Sequence, residues 1–184
     1  VRNNELPEGG GGQTSQGGGI FNVGRLTIEQ SAITQNLATR GGGISNTNNG
    51  HIDIRNSTVS GNRAFGGGGG IRNVSNGRIN IAFSTITANR ANEPGGYGES
   101  NRTGGGIQNL SPARVSIGGT ILAANTDNRG SYSSEYAPDC FSPTIYSFTS
   151  ERSNLVGVVN AQCALRDVIW GADASFDLKG TNAA

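Results

Sequence analysis

Gly17-Gly-Gly-Ile-Phe-Asn22, followed by Leu26-Thr-Ile-Glu-Gln-Ser-Ala-Ile-Thr-Gln-Asn36, decides the fold of this chain, because both phrases return three more times. The first, Gly-Gly-Gly-Ile-x-Asn, recurs at residues 41–46, 68–73 and 104–109; the second, always eleven residues long, recurs at 52–62, 79–89 and 115–125. A sequence written as copies of one unit builds a stack of equivalent coils, each burying its apolar face against the next.

The second phrase separates strand from helix. Its apolar pairs, Leu26/Ile28, Ile52/Ile54, Ile79/Ile81 and Val115/Ile117, are each split by a single residue, and Ile33, Val59, Ile86 and Leu122 follow. Period-two alternation of mostly β-branched residues, bounded by Gly and Asn, marks half-buried strand. No α-helix is expected in the first 130 residues.

Spacing selects the architecture. The closing residues Asn36, Asn62, Asn89 and Asn125 stand 26, 27 and 36 residues apart. Each interval holds a short strand ending at Ile-x-Asn and a longer one, and such a unit cannot bury its own apolar face. Stacked in parallel at about 4.8 Å it closes an interior of aliphatic ladders. The expected ladders are Ile20/Ile44/Ile71/Ile107, Leu26/Ile52/Ile79/Val115, Ile28/Ile54/Ile81/Ile117 and Ile33/Val59/Ile86/Leu122. A right-handed parallel β-helix of about four to six coils fits this pattern, occupying residues 17–130. The longer last interval needs only an outward loop, and residues 92–102 have the Pro, Gly and charge content of one.

The asparagines read as structural. Alternation places Asn22, Asn46, Asn73 and Asn109 on the same side as the preceding isoleucine, at a corner, where an inward amide bonds to the next coil and to turn backbone. Asn36, Asn62, Asn89 and Asn125 are expected to form a second such ladder, and the glycines to allow positive φ and close approach of backbones.

Taken together, the Gly-Gly-Gly-Ile-x-Asn phrase and the x-x-Asn that closes each strand resemble the repeats of bacterial secreted right-handed β-helix proteins. These include the GGAI/FxxN repeats of polymorphic outer-membrane proteins and the pectin-lyase-like superfamily. This chain has GGGI in place of GGAI and no Phe opening its x-x-Asn. The segment from Asp139-Cys140 through Asn154-Leu155-Val156-Gly157 to Cys163 resembles the stretch that follows such coils in large bacterial surface proteins. The resemblance implies a secreted or surface-exposed solenoid, and through the pectin-lyase-like superfamily it brings polysaccharide lyases and glycoside hydrolases into consideration.

Composition agrees with an elongated core. Of 184 residues, 31 are glycine and only 33% are hydrophobic, which is little for a globular interior. A net charge of +1 gives no pull toward nucleic acid, and no run reaches transmembrane length. The chain begins at Val1 and contains no methionine, so a processed product with any signal peptide removed is expected. The only two cysteines, Cys140 and Cys163, follow the repeats and lack zinc-ligand spacing; a disulfide between them, and with it an extracellular location, is expected.

Both ends invite comment. Seven aromatics, Tyr132, Tyr136, Phe141, Tyr146, Phe148, Trp170 and Phe176, lie beyond residue 130. Residues 131–184 therefore read as an irregular, disulfide-closed cap over the last coil, with a final strand in 164–170, or as a surface that docks another subunit. Residues 1–16 are nearly devoid of apolar side chains, so this tail is expected to fray or to lean on a neighbouring copy.

Chemistry is sparse. Hydrolysis or lyase action needs clustered carboxylates, yet the outward columns Thr27/Asp53/Asn80/Ser116 and Glu29/Arg55/Ala82/Gly118 carry one acid each, with Glu29 facing Arg55 as a weak surface pair. The single histidine, His51, offers a serine nucleophile no credible triad. The Gly runs lack the Lys-Ser/Thr of a phosphate loop. No catalytic residue, cofactor or metal site is expected. The column Arg25/His51/Arg78/Arg114 is suited to an acidic glycan or an acidic patch on a partner; the alternative is that the arginine stems cover the corner with their heads in water. Asn56, Asn73 and Asn101 fit the glycosylation sequon, with Asn101 and Asn56 the accessible ones. The expected function is a secreted, non-catalytic structural subunit that stacks end to end on copies of itself into a filament, matrix or adhesin, with a polysaccharide-binding or polysaccharide-cleaving β-helix as the alternative.

Overall fold

The structure, a computed structural model, describes residues 1–6, 15–94, 103–110, 112–128, 138–144, 147–151, 153–157, 163, 165–167 and 178–179. Each full coil contains four short strands. The first has β1 (Ile20–Asn22), β2 (Arg25–Glu29), β3 (Ala32–Thr34) and β4 (Leu37–Ala38); the second has β5 (Ile44–Asn46), β6 (His51–Arg55), β7 (Thr58–Ser60) and β8 (Arg63–Ala64). In the third are β9 (Ile71–Asn73), β10 (Arg78–Ala82), β11 (Thr85–Thr87) and β12 (Arg90–Ala91), and in the fourth β13 (Ile107–Asn109), β14 (Arg114–Gly118), β15 (Ile121–Ala123) and β16 (Thr126–Asp127). Five more follow: β17 (Cys140–Phe141), β18 (Phe148–Ser150), β19 (Leu155–Val156), β20 (Leu165–Asp167) and β21 (Leu178–Lys179).

Corresponding strands pair in parallel. The first sheet runs β1-β5-β9-β13-β17, the second β2-β6-β10-β14-β18-β20, the third β3-β7-β11-β15-β19-β21 and the fourth β4-β8-β12-β16. The chain is a parallel β-solenoid. All four aliphatic ladders expected from the sequence are in register, Ile28 on Ile54 on Ile81 on Ile117 among them. Their side chains form one continuous core that is almost fully buried from the second coil onward. Each buried aliphatic contributes roughly 1.5–3 kcal/mol.

The eleven-residue phrase is bent, not one long strand. It breaks at Gln30, Asn56, Phe83 and Gly119, which all take positive φ, between 46° and 56°. A second corner falls at Gln35, Gly61, Ala88 and Ala124, again with positive φ, just before the closing asparagines. The five-residue step from Ile28 to Ile33, out of phase with a period of two, was the trace of the first corner in the sequence.

Of the C-terminal segment, read as an irregular disulfide-closed cap, the described residues carry the disulfide and include β17 to β21. Its described strands continue the sheets, with Cys140 beside Ile107, Phe148 beside Val115 and Val156 beside Leu122. The interior positions persist while the side chains that fill them change, which hid the repeat. Within residues 164–170, the expected final strand is β20, which pairs with β18.

At the other end, the expectation of a fraying tail is corrected for residues 1–6. Arg2 bridges Thr34, and Glu5 bridges Leu37, both in parallel, so these residues lie as a partial coil on the third and fourth sheets of their own chain. Backbone bonds from Asn3 to Thr34 (3.2 Å) and from Leu6 to Leu37 (3.0 Å) fix them there.

Cys140 and Cys163 form a disulfide, with Cα atoms 5.1 Å apart, at the end of the aliphatic core. Closing a loop of this size stabilises by about 3 kcal/mol in the chain-entropy model. Protein unfolded, reduced and refolded in reductant is expected to be less stable by that energy and to unfold at a lower urea concentration; coincident curves for oxidised and reduced protein would contradict it.

Candidate functional site

Three polar ladders hold the corners. In the first, Asn22 donates its amide to Asn46 (2.7 Å), Asn46 to Asn73 (2.9 Å) and Asn73 to Asn109 (2.9 Å). In the second, Asn36 donates to Asn62 (2.9 Å), Asn62 to Asn89 (3.0 Å) and Asn89 to Asn125 (2.9 Å), and each acceptor oxygen also takes the backbone N–H of the donating residue. Asn4 extends this ladder at one end by donating to Asn36 (3.0 Å), and the buried Asp139 closes it at the other, accepting from Asn125 at 2.9 Å. A carboxylate suits that terminal place because it only accepts.

The third ladder was not anticipated. Ser31, Ser57, Ser84 and Thr120 occupy equivalent positions, and each hydroxyl donates to the carbonyl two residues back, at 2.6–3.0 Å. The Ser57 and Ser84 oxygens also accept the backbone N–H of Ser31 and Ser57. The recurring hydroxyl was visible in the sequence; that it faces a corner was not.

Outside these ladders, chemistry concentrates on the outward face of the second sheet. Arg25, His51, Arg78 and Arg114 stand in direct register, as the spacing predicts. The three arginines are exposed and His51 is half-buried. His51 Nε2 lies 3.2 Å from an Asp53 carboxylate oxygen, while the Asn80 amide donates to the other at 2.8 Å. The Asn80 bond holds the Asp53 carboxyl below its ordinary range, against the opposing effect of partial burial; His51 and Arg55 add to the lowering. Glu29 and Arg55 are register partners, but the ion pairs among the described residues are His51–Asp53, Arg63–Glu93 and Arg90–Glu93, so the expected Glu29–Arg55 pair does not form.

A second polar region lies where the fourth sheet hands over to the first. Ser45, Arg72 and Gln108 point away from the aliphatic interior yet are buried. Arg72 donates to Gln108 (3.1 Å) and to Gln16 (3.4 Å), and the Gly67 backbone passes so close that a Cβ there would meet Gln108 Nε2 at 2.2 Å. Nearby in the chain, the buried Asp127 accepts from Thr103 (2.8 Å) and from Asn92. Alternation correctly turned this column outward, but only the path of the connections buries it. Among the described residues no three His, Cys, Asp or Glu side chains gather where they could hold a metal ion; Asp53 lies on the second sheet, Asp127 in the fourth and Asp139 at a ladder end.

Of the sequons, Asn56 is exposed at a positive-φ corner and Asn73 is fully buried in the first ladder. Asn101 lies outside the described residues. No helix among the described residues is long and apolar enough to cross a membrane. In comparison with known proteins, the chain matches no protein-family model, no curated sequence and no solved structure.

Proposed function

We propose that this protein is a secreted, non-catalytic structural subunit that stacks end to end on copies of itself. One observation carries the reading. Among the described residues β1 and β2 are hydrogen-bonded on one side only, because residues 1–6 cover the third and fourth sheets and leave the first and second uncovered. Ile20 and Leu26, which head two core ladders, are only partly buried there, while Phe21 and Val23 are about half exposed. Inside the molecule, the surface that fits such an end is the edge of the neighbouring coil. The far end of a second copy, where β17, β20 and β21 are each paired on one side only among the described residues, supplies another such edge. The contact joins unlike ends and does not close, so it propagates. The buried disulfide and the similarity of the repeats to those of bacterial surface solenoids support an extracellular setting.

Electron microscopy and sedimentation test this directly. The protein is expected to form filaments whose length grows with concentration, and the double variant Phe21→Lys/Val23→Lys to remain monomeric with an unchanged melting temperature, since lysine at an uncovered edge blocks pairing. Monomers at millimolar concentration, or filaments undiminished in the variant, would refute the reading.

A further inference from the structure

We propose that the outward face of the second sheet is a binding site for a sulfated polysaccharide, seated along Arg25, His51, Arg78 and Arg114. Register places the four side chains in single file at about 4.8 Å intervals. Like charges directly opposite one another in a sheet are destabilising, and elsewhere this chain relieves them. Arg63 and Arg90, register partners in the fourth sheet, share Glu93, whose carboxylate oxygens lie 3.9 and 3.6 Å from their guanidinium groups. Arg78 and Arg114 are likewise register partners, exposed, and have no acid within ion-pair distance among the described residues.

The remaining acids of the face are accounted for. Asp53 is turned toward His51 and Asn80. Glu29 and Glu151 stand at the opposite edge of the sheet, where Glu151 accepts from Ser116 at 2.6 Å. The face is therefore polarised, cationic along the edge where its strands begin. A linear polymer bearing regularly spaced anions supplies the missing countercharges, and guanidinium groups bond sulfate oxygens in pairs. The adjoining column Thr27/Asp53/Asn80/Ser116 offers hydroxyl, carboxylate and amide groups for sugar hydroxyls. Nucleic acid fits less well: the outward positions of β2, β6, β10 and β14 carry no Phe, Tyr or Trp on which bases would stack.

Heparin chromatography and binding across a salt series decide the matter. Arg78→Ala/Arg114→Ala is expected to bind heparin about tenfold more weakly, with the slope of log affinity against log salt reduced by about two. Arg63→Ala/Arg90→Ala, which removes the same formal charge from the fourth sheet, is expected to stay within about twofold of the parent. Should alanine perturb the sheet, seen as a lowered melting temperature, Arg78→Gln/Arg114→Gln repeats the comparison. The proposal is overturned if the parent does not bind heparin, if the column variant binds like the parent, if the control pair weakens binding equally, or if single-stranded DNA of equal charge displaces heparin as well as a sulfated glycan does.

Discussion

Gly69→Ala is expected to abolish cooperative folding of the third coil. A Cβ at this position would lie 2.3 Å from the carbonyl oxygen of Arg90 and 2.4 Å from its carbonyl carbon. Both are backbone atoms of β12, so no side chain can swing aside, and the fourth strand of the coil would have to move away from the start of the first. Interiors this tightly packed do not absorb such an overlap. The expected loss exceeds about 4 kcal/mol. The same place in the other coils tells the same story, with a Cβ at Gly42 lying 2.1 Å from the Arg63 oxygen and one at Gly105 lying 2.3 Å from that of Thr126. The middle glycine of each triplet is where a coil closes on itself, while the first takes positive φ at Gly17, Gly41 and Gly68. Gly24→Ala is the control, because a Cβ there meets nothing within 4 Å. Urea unfolding followed by circular dichroism, with hydrogen exchange to locate the loss, distinguishes the two; a Gly69→Ala protein as stable as Gly24→Ala would show that the closure argument fails.

Asn62→Ala is expected to cost about 4 kcal/mol through the four side-chain bonds it removes from a buried corner, where a group left without a partner costs roughly 1–3 kcal/mol. The Asn62 oxygen accepts both the backbone N–H and the side-chain amide of Asn36, at 3.0 and 2.9 Å, and its own amide donates to the Ile33 carbonyl at 2.9 Å. Alanine takes this partner from the Asn36 N–H and the Ile33 carbonyl in a fully buried corner, leaves the Asn36 amide only a 3.4 Å bond to the Val1 carbonyl, and also removes the bond to Asn89. Asn4→Ala, at the exposed end of the same ladder, is expected to cost no more than about 1 kcal/mol, since solvent reaches the bonds it breaks. Equal destabilisation by the two substitutions, measured as shifts in urea midpoint, would mean that the ladder is not a buried network.

How much of this was legible follows from where each kind of information sits. The register of Ile28, Ile54, Ile81 and Ile117 could be read because a parallel stack superposes equivalent positions, so alignment of the repeats is alignment in space. The same logic placed the two asparagine ladders and the column from Arg25 to Arg114. The corners at Gln30, Asn56, Phe83 and Gly119 were harder, because four different side chains share one backbone conformation and the requirement falls on φ instead of on side-chain chemistry. Asp139 as the last acceptor of the second ladder was out of reach, since it precedes Cys140 and not the closing position of a coil.

The sequence by itself determined the parallel stack, its period, the four aliphatic ladders and the disulfide, because each rests on a local pattern repeated in register or on a pair of cysteines with no other use. Tertiary structure alone decided that residues 1–6 lie on their own first coil, that Ser45, Arg72 and Gln108 are covered, and that Glu93 serves Arg63 and Arg90 while Arg78 and Arg114 have no acid beside them among the described residues. Those outcomes depend on the paths of non-repeating connections around the solenoid, and a connection that occurs once leaves no periodic trace from which its course can be read.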